Sequence, residues 1–340
     1  MQQKKLSVVT GATGRIGVAL CAHLREKGER IRAIYFADKE IAALLEGVAD
    51  EVVHADIRDY ASVLSAFEGA EYVYHLAGVV SIETKITPAI EEVNITGTKN
   101  VVRACKELGV RRLIYTGTVH TLPFTDNKHV LTEIPRYLPD KVHGAYAVSK
   151  SVASNIVLDA VQNDGLNAVL GLPSGVIGGY EYKRSNFGQM IVDVSERKLK
   201  IGVRGRYDFV DTRDVAAALY DLSENGIQGE SYILSGHTAS VKEMLRYAAD
   251  AAGTKPPRIR LPLWFVRIFA GIAERSALKR GKLPMFTPYS MKVLRDNCNF
   301  SHAKITALTG YAPRPVQEAI AEQVRFYKED YKKFIEGAKK

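Results

Sequence analysis

Short apolar runs alternate with longer amphipathic stretches along about the first 170 residues of the chain. The runs are nearly continuous, as expected of strands covered on both faces, and they predict strands at residues 6–10, 30–36, 52–55, 72–77, 113–116 and 168–172. Apolar residues at helical spacing predict helices at residues 15–27, 39–46, 60–67, 90–108 and 143–163. This alternation predicts an α/β fold built on a doubly wound parallel sheet.

The second half of the chain has a less regular pattern. It predicts a strand at 208–211, a helix at 214–222, a strand at 231–234 that can return to the main sheet, and one long charged helix at 316–334. We therefore expect a larger domain of residues 1–175 and 208–235 and a smaller lobe of residues 176–207 and 236–335. The smaller lobe is expected over the carboxyl edge of the sheet, where ligands bind in open α/β folds.

Composition and charge narrow the class of protein. Hydrophobic residues make up 46% and charged residues 25% of the chain, which is typical of a globular protein. No apolar stretch approaches the ~20 residues of a membrane span and no secretory pattern is seen, so we expect a cytoplasmic protein. The net charge of +9 favours anionic partners, but the basic residues are scattered, so nucleic acid is not expected. The cysteines and histidines lack metal-ligand spacing, which predicts no metal site.

A glycine-rich turn stands between the first predicted strand and the first predicted helix. Its three glycines, spaced Gly-x-x-Gly-x-x-Gly, allow a tight turn and a close approach of the backbone to a ligand. The free N–H groups and the dipole at the start of the helix favour a bound anion. A turn of this kind predicts a site for the pyrophosphate of a dinucleotide. The residues expected to meet it are Gly11, Thr13, Gly14, Arg15, Ile16 and Gly17.

Tyr146 and Lys150 are spaced i, i+4 in a predicted helix and therefore share one face. A free tyrosine has a pKa near ~10, and a nearby ammonium lowers it because it stabilises the phenolate. A tyrosine tuned in this way can give a proton to a substrate oxygen or take one from it. By itself such a pair is typical of a helix surface, but its place after the fifth strand favours a catalytic role.

Several segments follow one another in an order that resembles the extended branch of the short-chain dehydrogenase/reductase superfamily. They are the glycine-rich turn, Ala55-Asp56-Ile57-Arg58-Asp59, His75-Leu76-Ala77-Gly78, Asn94-Ile95-Thr96-Gly97-Thr98-Lys99-Asn100, Tyr146-Ala147-Val148-Ser149-Lys150, Pro173-Ser174-Gly175-Val176-Ile177-Gly178 and Phe209-Val210-Asp211-Thr212-Arg213-Asp214-Val215. The resemblance covers nearly the whole chain and is strongest to bacterial relatives of dihydroflavonol reductase and 3β-hydroxysteroid dehydrogenase. It implies a Rossmann domain, a C-terminal substrate-binding lobe and NAD(P)-dependent oxidoreductase activity.

The resemblance also implies roles for single residues. Tyr146 is implied as the acid–base residue and Lys150 as its partner on the nicotinamide ribose. Thr118, with Thr116 as the fallback, is implied as the hydroxyl that polarises the substrate oxygen. A structural role for Asn94 is at least as well supported as a catalytic one. The other residues implied to contact the cofactor are Tyr35, Asp56, Ile57, Leu76, Ala77, Gly78, Pro173, Ser174, Gly175 and Val176.

The end of the second strand bears on the choice between NAD and NADP. A carboxylate there would bind the ribose 2′-hydroxyl and favour NAD. This chain has Tyr35 and Phe36 instead, and Asp38 is better explained as the cap of the next helix. Arg15 or Arg32 could meet a 2′-phosphate, although both also fit as solvated surface charges. The pattern favours NADP and leaves NAD open.

The resemblance implies a small substrate, an apolar ketone or aldehyde to be reduced or a secondary alcohol to be oxidised, and relatives often form homodimers. Residues of the second lobe that could line an apolar pocket, although a core role is simpler for most, are Phe187, Trp264, Phe265, Phe269, Met285, Phe286, Tyr289 and Met291. The alternative is a sugar-nucleotide epimerase, whose diphosphate could meet Lys183, Arg184, Arg204 and Arg206. A dinucleotide-binding regulator and a membrane-surface contact through residues 261–273 are less favoured.

Overall fold

The computed structural model describes residues 5–81, 83–123, 129–257, 259–261, 294 and 298–337. The strands in this part of the chain are β1 (Leu6–Thr10), β2 (Arg30–Tyr35), β3 (Glu51–His54), β4 (Tyr72–His75), β5 (Arg112–Thr116), β6 (Ala168–Pro173), β7 (Gly175–Ile177), β8 (Ile201–Val203), β9 (Arg206–Asp211), β10 (Ser231–Leu234), β11 (His237–Ser240) and β12 (Ile259–Leu261). Seven of them form a parallel sheet in the order β10-β6-β5-β4-β1-β2-β3. The strand order reverses between β1 and β4, so the predicted doubly wound α/β fold is confirmed.

Helices cover both faces of this sheet. The helices described are α1 (Arg15–Glu26), α2 (Lys39–Leu45), α3 (Tyr60–Ala66), α4 (Pro88–Ile90), α5 (Gly97–Glu107), α6 (Ala145–Asp164), α7 (Asn186–Ser195), α8 (Thr212–Asn225), α9 (Val241–Ala252), α10 (Ala303–Thr309), α11 (Val316–Lys328) and α12 (Asp330–Gly337). Leu24 of α1 and Leu219 of α8 lie in the core on one face of the sheet. Val101 of α5 and Val157 of α6 lie in the core on the other face. Because both faces are buried, the strands are nearly continuous apolar runs.

A second, smaller sheet is formed by three further strands. It has the order β11-β9-β7, with β9 antiparallel to β11 and parallel to β7. Strands β8 and β12 form a separate parallel pair. Ile191 of α7, Met244 of α9 and Ile320 of α11 meet in an apolar core of their own. Strand β9 leads directly into α8, so the chain passes from the smaller sheet to a helix that covers the main sheet.

The structure departs from the predicted elements at two helices. The helix predicted at 90–108 consists of α4, a π-helical turn at Glu91–Thr96 and α5. The helix predicted at 316–334 is divided into α11 and α12 at Glu329, which has φ −111° and ψ −71°. Hydrophobic spacing does not reveal either interruption, because the apolar face continues on both sides of it. The strand predicted at 231–234 joins the main sheet as β10, beside β6.

Part of the sequence prediction falls outside the described residues. This applies to residues 262–273 of the proposed membrane-surface stretch. It also applies to most of the predicted pocket residues, namely Trp264, Phe265, Phe269, Met285, Phe286, Tyr289 and Met291. Among the helices that the structure describes, none has the length and apolar character needed to cross a membrane.

Candidate active site

The glycine-rich turn joins β1 to α1 and is packed too closely for side chains at two positions. Gly11 has φ +67°, and a Cβ there would lie 2.7 Å from the backbone nitrogen of Ala77. A Cβ on Gly17 would lie 2.7 Å from the Cα of Ala12 and would overlap the carbonyl oxygen of Gly11. Glycine is required at position 11 because the turn packs against the backbone of the loop after β4, and at position 17 because α1 packs against the backbone of the turn itself.

The first turn of α1 is open to an anion. Gly14 occupies the cap position, so no side chain accepts hydrogen bonds from the first N–H groups, and the first turn contains no acidic residue. The N–H groups of Arg15, Ile16 and Gly17 therefore lie at the positive end of a 12-residue helix. These residues fit the pyrophosphate of a dinucleotide.

The other predicted cofactor residues surround this turn at the carboxyl edge of the sheet. Leu76 and Ala77 follow β4, and their N–H groups donate to Thr10 Oγ1 at 3.2 Å each. Gly78 lies beside Asn94, whose Oδ1 would be 3.2 Å from a Cβ on the glycine. The ends of the neighbouring strands carry the remaining predicted residues, Tyr35, Asp56, Ile57, Pro173, Ser174, Gly175 and Val176.

Asp56, a predicted cofactor residue, follows β3 at this edge, and Phe36 follows β2 beside it. Arg58 holds the Asp56 carboxylate with Nη2 at 2.7 Å from Oδ2, and this hydrogen bond lowers the pKa of Asp56. The same guanidinium lies 5.0 Å from the ring centre of Phe36, which is half exposed. The Phe36 ring stacks on His54 with ring centres 5.8 Å apart. The edge thus offers an ionised carboxylate and an aromatic surface, which suit a planar base.

The two arginines considered for a 2′-phosphate both have carboxylate partners. Arg15 is largely buried, forms an ion pair with Glu181 and donates to the carbonyl of Val176. Arg32 pairs with Glu51 at 2.6 Å. Both guanidinium groups therefore have carboxylate partners within the protein. The simpler interpretation of the sequence had placed them as solvated surface charges.

Asp38 precedes α2 as predicted, but its side chain makes no cap hydrogen bond. Its Oδ2 instead accepts the hydroxyl of Thr13 at 3.2 Å and pairs with Lys183 Nζ at 2.5 Å. The explanation of the Asp38 side chain as a helix cap is therefore wrong. The backbone of Asp38 has φ −97° and ψ 71°. Its carboxylate lies beside the glycine-rich turn and not over the first N–H groups of α2.

Tyr146 and Lys150 lie one turn apart on α6, beside the carboxyl end of β5. Lys150 is 6% exposed, its Nζ donates to the carbonyl of Thr116 at 2.7 Å, and it lies 4.3 Å from the ring centre of Tyr115. Burial lowers the pKa of Lys150 to about 7. Tyr146 is half-buried. The pair found from its i, i+4 spacing is thus located at the same sheet edge as the glycine-rich turn.

Thr118 and Thr116 flank the end of β5. Thr118 is buried, and its Oγ1 accepts the N–H of His120 at 3.3 Å. A hydroxyl that accepts in this way can still donate its own proton to another oxygen. Thr116 offers its carbonyl to Lys150, and its buried hydroxyl has no hydrogen-bond partner within the described residues.

His120 lies against the ring of Tyr146, with ring centres 6.2 Å apart and the planes at 68°. The imidazole is nearly parallel to the ring of Tyr207 of β9, and its Nε2 lies 3.2 Å from the Tyr207 hydroxyl. Burial lowers the pKa of His120 to about 4, so the ring is neutral near pH 7. The imidazole therefore packs between Tyr146 and Tyr207 of β9.

Asn94 lies within the π-helical turn and is 2% exposed. Its Oδ1 accepts the N–H of Val79 at 2.7 Å, and its Nδ2 donates to the Val79 carbonyl and to Ser149 Oγ at 3.0 Å each. The Ser149 hydroxyl donates to the carbonyl of Tyr146 at 3.0 Å. Asn94 therefore ties the loop after β4 to the turn of α6 that carries Tyr146, which fits the structural role.

His75 forms a second buried connection that sequence reasoning did not detect. Thr10 Oγ1 accepts two backbone N–H groups, so its proton is directed to His75 Nδ1 at 2.8 Å. His75 Nε2 then donates to Thr98 Oγ1 at 3.2 Å, and the Thr98 hydroxyl donates to the Asn94 carbonyl at 2.7 Å. Burial lowers the pKa of His75 to about 3, which keeps this ring neutral.

Among the described residues, no group of three or more His, Cys, Asp or Glu side chains could hold a metal ion.

Known proteins resemble this chain in sequence and in fold over nearly its whole length. The chain is 29% identical over 334 residues to the sterol demethylase protein B of Methylococcus capsulatus, a match covering 95% of this chain and 98% of that protein. It is 27% identical to the 3beta-hydroxysteroid-dehydrogenase/decarboxylase isoform 2 of Arabidopsis thaliana, covering 95% of this chain and 62% of that protein. The crystal structure of gox2253 is 27% identical and superposes with a TM-score of 0.82 over 96% of this chain and 99% of that one.

The family model for the NAD dependent epimerase/dehydratase family matches residues 7–235, which include the glycine-rich turn, Tyr146 and Lys150. This match and the relatives confirm the resemblance to extended short-chain dehydrogenases/reductases that the order of motifs indicates. The chain belongs to the NAD dependent epimerase/dehydratase family and is an enzyme of the extended short-chain dehydrogenase/reductase type.

Proposed function

We propose that the chain is an NAD(P)-dependent oxidoreductase that reduces a ketone or aldehyde, or oxidises a secondary alcohol. The observation that carries this proposal is the buried Lys150, placed one helical turn from Tyr146 and at the same sheet edge as the open N-terminus of α1. Burying an ammonium is unfavourable, and such groups cluster where chemistry needs them. Its position next to a tyrosine and an anion-binding turn supports proton transfer beside a bound dinucleotide.

The proposed reaction divides the work among three side chains. When bound, the nicotinamide supplies or accepts the hydride. Tyr146 gives its phenolic proton to the substrate oxygen during reduction and recovers it during oxidation. The Lys150 ammonium stabilises the phenolate of Tyr146. Because the pKa of Lys150 is about 7, the lysine is mainly protonated below pH 7. The Thr118 hydroxyl donates to the same substrate oxygen.

The substrate class that we propose is an apolar ring that carries a hydroxyl or a carbonyl. Two of the relatives described above are named for sterol or steroid chemistry. On this chain, the His120 ring packs against Tyr146 and stacks on Tyr207, and Phe209 packs edge-on against Tyr207 with ring centres 5.7 Å apart. The reacting phenol therefore adjoins a mostly buried aromatic cluster, which favours an apolar substrate over a charged one. Both observations support a sterol-like ketone or alcohol.

A sugar-nucleotide epimerase is the second candidate, and the name of the family favours it. Its diphosphate would need cations near the substrate. Lys183 is paired with a carboxylate beside the glycine-rich turn, and Arg184 lies 4.5 Å from the ring centre of Tyr331. Arg204 and Arg206 are exposed. Since the described contacts do not gather these four cations around Tyr146, net oxidation or reduction is the better supported activity.

The experiment that tests this function is a panel assay of nicotinamide absorbance. NADPH and NADH are each offered with steroid ketones, flavonoid ketones, simple aldehydes and sugar nucleotides. Net oxidation of the reduced cofactor with a carbonyl substrate supports the oxidoreductase. Inversion of a sugar nucleotide without net change in the cofactor would support the epimerase and reject the main proposal.

The role of Tyr146 is tested with Tyr146→Phe, which keeps the ring that packs against His120 and removes the hydroxyl. General acid–base catalysis typically contributes about 100-fold or more, so kcat should fall by at least that factor. Cofactor affinity, measured by fluorescence titration, should stay within about twofold because the anion-binding turn is untouched. Unaltered turnover in this variant rejects the acid–base role.

A further inference from the structure

Residues 178–185, which we call the bridging segment, connect β7 to α7 and contact both sides of the glycine-rich turn. Glu181 forms an ion pair with Arg15, the first residue of α1. Lys183 pairs with Asp38 at 2.5 Å, through the carboxylate oxygen that accepts the hydroxyl of Thr13 at 3.2 Å. The second lobe therefore places a cation beside the turn whose residues fit a dinucleotide.

The bridging segment is anchored through Glu181, which is 2% exposed. Its carboxylate accepts the hydroxyl of Ser185 at 2.6 Å and the side-chain amide of Gln323 at 2.9 Å. The fully buried Gln323 also accepts the N–H of Gly178 at 3.2 Å. Lys183 stands two residues from this anchor, and its side chain is 63% exposed. Its backbone is therefore held in place while its flexible ammonium can move between nearby acceptors.

Other cations near the turn are less able to meet a phosphate. Arg15 is committed to the buried Glu181. Arg58 is held by both oxygens of Asp56, at 3.0 and 2.7 Å. The pair between Lys183 and its carboxylate is more exposed, and exposed pairs of this kind are weak in water. Of Arg15, Arg58 and Lys183, the last can therefore most easily exchange its partner for a phosphate.

We propose that Lys183 is the specificity-determining residue for the 2′-phosphate of NADP(H). This inference rests on the proposed function, since it concerns the cofactor of the same site. The negative charge of Asp38 repels a 2′-phosphate beside Thr13. The Lys183 ammonium offsets that repulsion and donates a hydrogen bond to the 2′-phosphate. With NAD(H), Lys183 stays on Asp38. The pair therefore allows both cofactors to bind, and the preference between them is set by a residue of the second lobe.

The test is a fluorescence titration of the full-length chain with NADPH and with NADH, without any substrate. Lys183→Ala should weaken NADPH binding by about tenfold or more, because a charge-assisted hydrogen bond is lost and a carboxylate is left facing the phosphate. Binding of NADH should change by less than about threefold, the scale of an exposed ion pair. Asp38→Asn should strengthen NADPH relative to NADH.

Lys198→Ala is the matched control. Lys198 is 68% exposed and pairs with Glu196 at 2.5 Å, so its removal takes away the same charge and the same kind of ion pair. It lies after α7 and outside the contacts of the glycine-rich turn, and its loss should leave both affinities unchanged. An equal loss of NADPH binding in this control would make net charge the cause and overturn the proposal.

Two further outcomes count against Lys183. An unchanged ratio of NADPH to NADH affinity in Lys183→Ala overturns the inference while leaving the proposed function intact. A selective loss of NADPH in Arg58→Ala, with none in Lys183→Ala, assigns the phosphate to Arg58 instead. If the wild-type chain binds neither dinucleotide, the proposed function fails and this inference fails with it.

Discussion

Replacing Lys150 with methionine should make the protein without cofactor more stable while abolishing turnover. Lys150 is 6% exposed, and within the described part of the chain its ammonium makes one hydrogen bond, to the carbonyl of Thr116, and lies 4.3 Å from the ring centre of Tyr115. These contacts do not replace full hydration, and burial lowers the pKa of Lys150 from 10.5 to about 7. Methionine has a similar length and no charge, so Lys150→Met removes the unfavourable desolvation.

The size of the effect depends on pH in a way that identifies its origin. Below pH 7 the lysine is protonated in both the folded and the unfolded chain, and the folded state carries the whole penalty, about 5 kcal/mol as an upper bound. Between about pH 7 and 10.5 the unfolded chain still holds the proton that the folded chain has released, so wild-type stability rises with pH. The stability advantage of Lys150→Met should therefore shrink by about 3 kcal/mol between pH 6 and pH 9.5.

The assay is urea denaturation of both proteins at pH 6, 8 and 9.5 without dinucleotide. All other titrating groups are shared, so they cancel in the difference between the two free energies of unfolding. Lys106→Met is the control, since Lys106 is 39% exposed and paired with Asp164 at 2.7 Å. The difference in free energy of unfolding between Lys106→Met and the wild type should change by less than about 1 kcal/mol between pH 6 and 9.5.

The reasoning would be refuted if the difference in free energy of unfolding between the wild type and Lys150→Met did not change with pH. Such a result would mean that Lys150 keeps an ordinary pKa in the folded chain, and hence that its ammonium is as well solvated as in water. A difference that grows as pH rises would refute it more directly, because a stabilised ammonium produces that sign.

The remaining predictions concern the turn and the hydroxyl. Gly17→Ala should lower stability by roughly 1–3 kcal/mol and abolish NADH binding, because its Cβ would overlap the backbone of Gly11. Gly14→Ala, with a Cβ 3.2 Å from the same oxygen, should be milder in thermal melting and in NADH titration. Once a substrate is known, Thr118→Ala should lower kcat about 100-fold and Thr116→Ala much less. The reverse ranking would make Thr116 the donor.

The main sheet could be predicted from the sequence because its strands are buried on both faces. All five residues of β1 and all six of β6 are buried, so β6 is a continuous apolar run and β1 carries only the small polar Ser7 and Thr10 among its apolar residues. Tyr146 and Lys150 could be found for a similar reason, since the helical repeat alone puts residues four apart on one face. These features depend on periodicity, which the sequence displays directly.

Other parts of the site depend on contacts between distant segments, and periodicity carries no information about them. Asp38 stands before a helix and therefore fits a cap, yet its carboxylate binds Thr13 and Lys183, which lie 25 residues before it and 145 after it. The π-helical turn around Asn94 keeps the apolar face of an ordinary helix. One signal was available there, because an asparagine within an apolar helix needs buried partners for its amide.

One continuous set of buried hydrogen bonds connects the strand before the glycine-rich turn to the helix that carries Tyr146. It runs from Thr10 through His75 and Thr98 to Asn94, whose side chain donates to Ser149, the residue before Lys150 on α6. Each hydroxyl from Thr10 to Thr98 donates once, and the His75 ring accepts at Nδ1 and donates at Nε2. The directions of the bonds from Thr10 to the Asn94 carbonyl therefore follow from the two backbone N–H groups that Thr10 accepts. Breaking any link leaves a buried polar group unsatisfied, at about 1–3 kcal/mol. In the proposed reaction the i, i+4 pair supplies the proton chemistry, and this network connects the helix that carries the pair to the strand that precedes the glycine-rich turn.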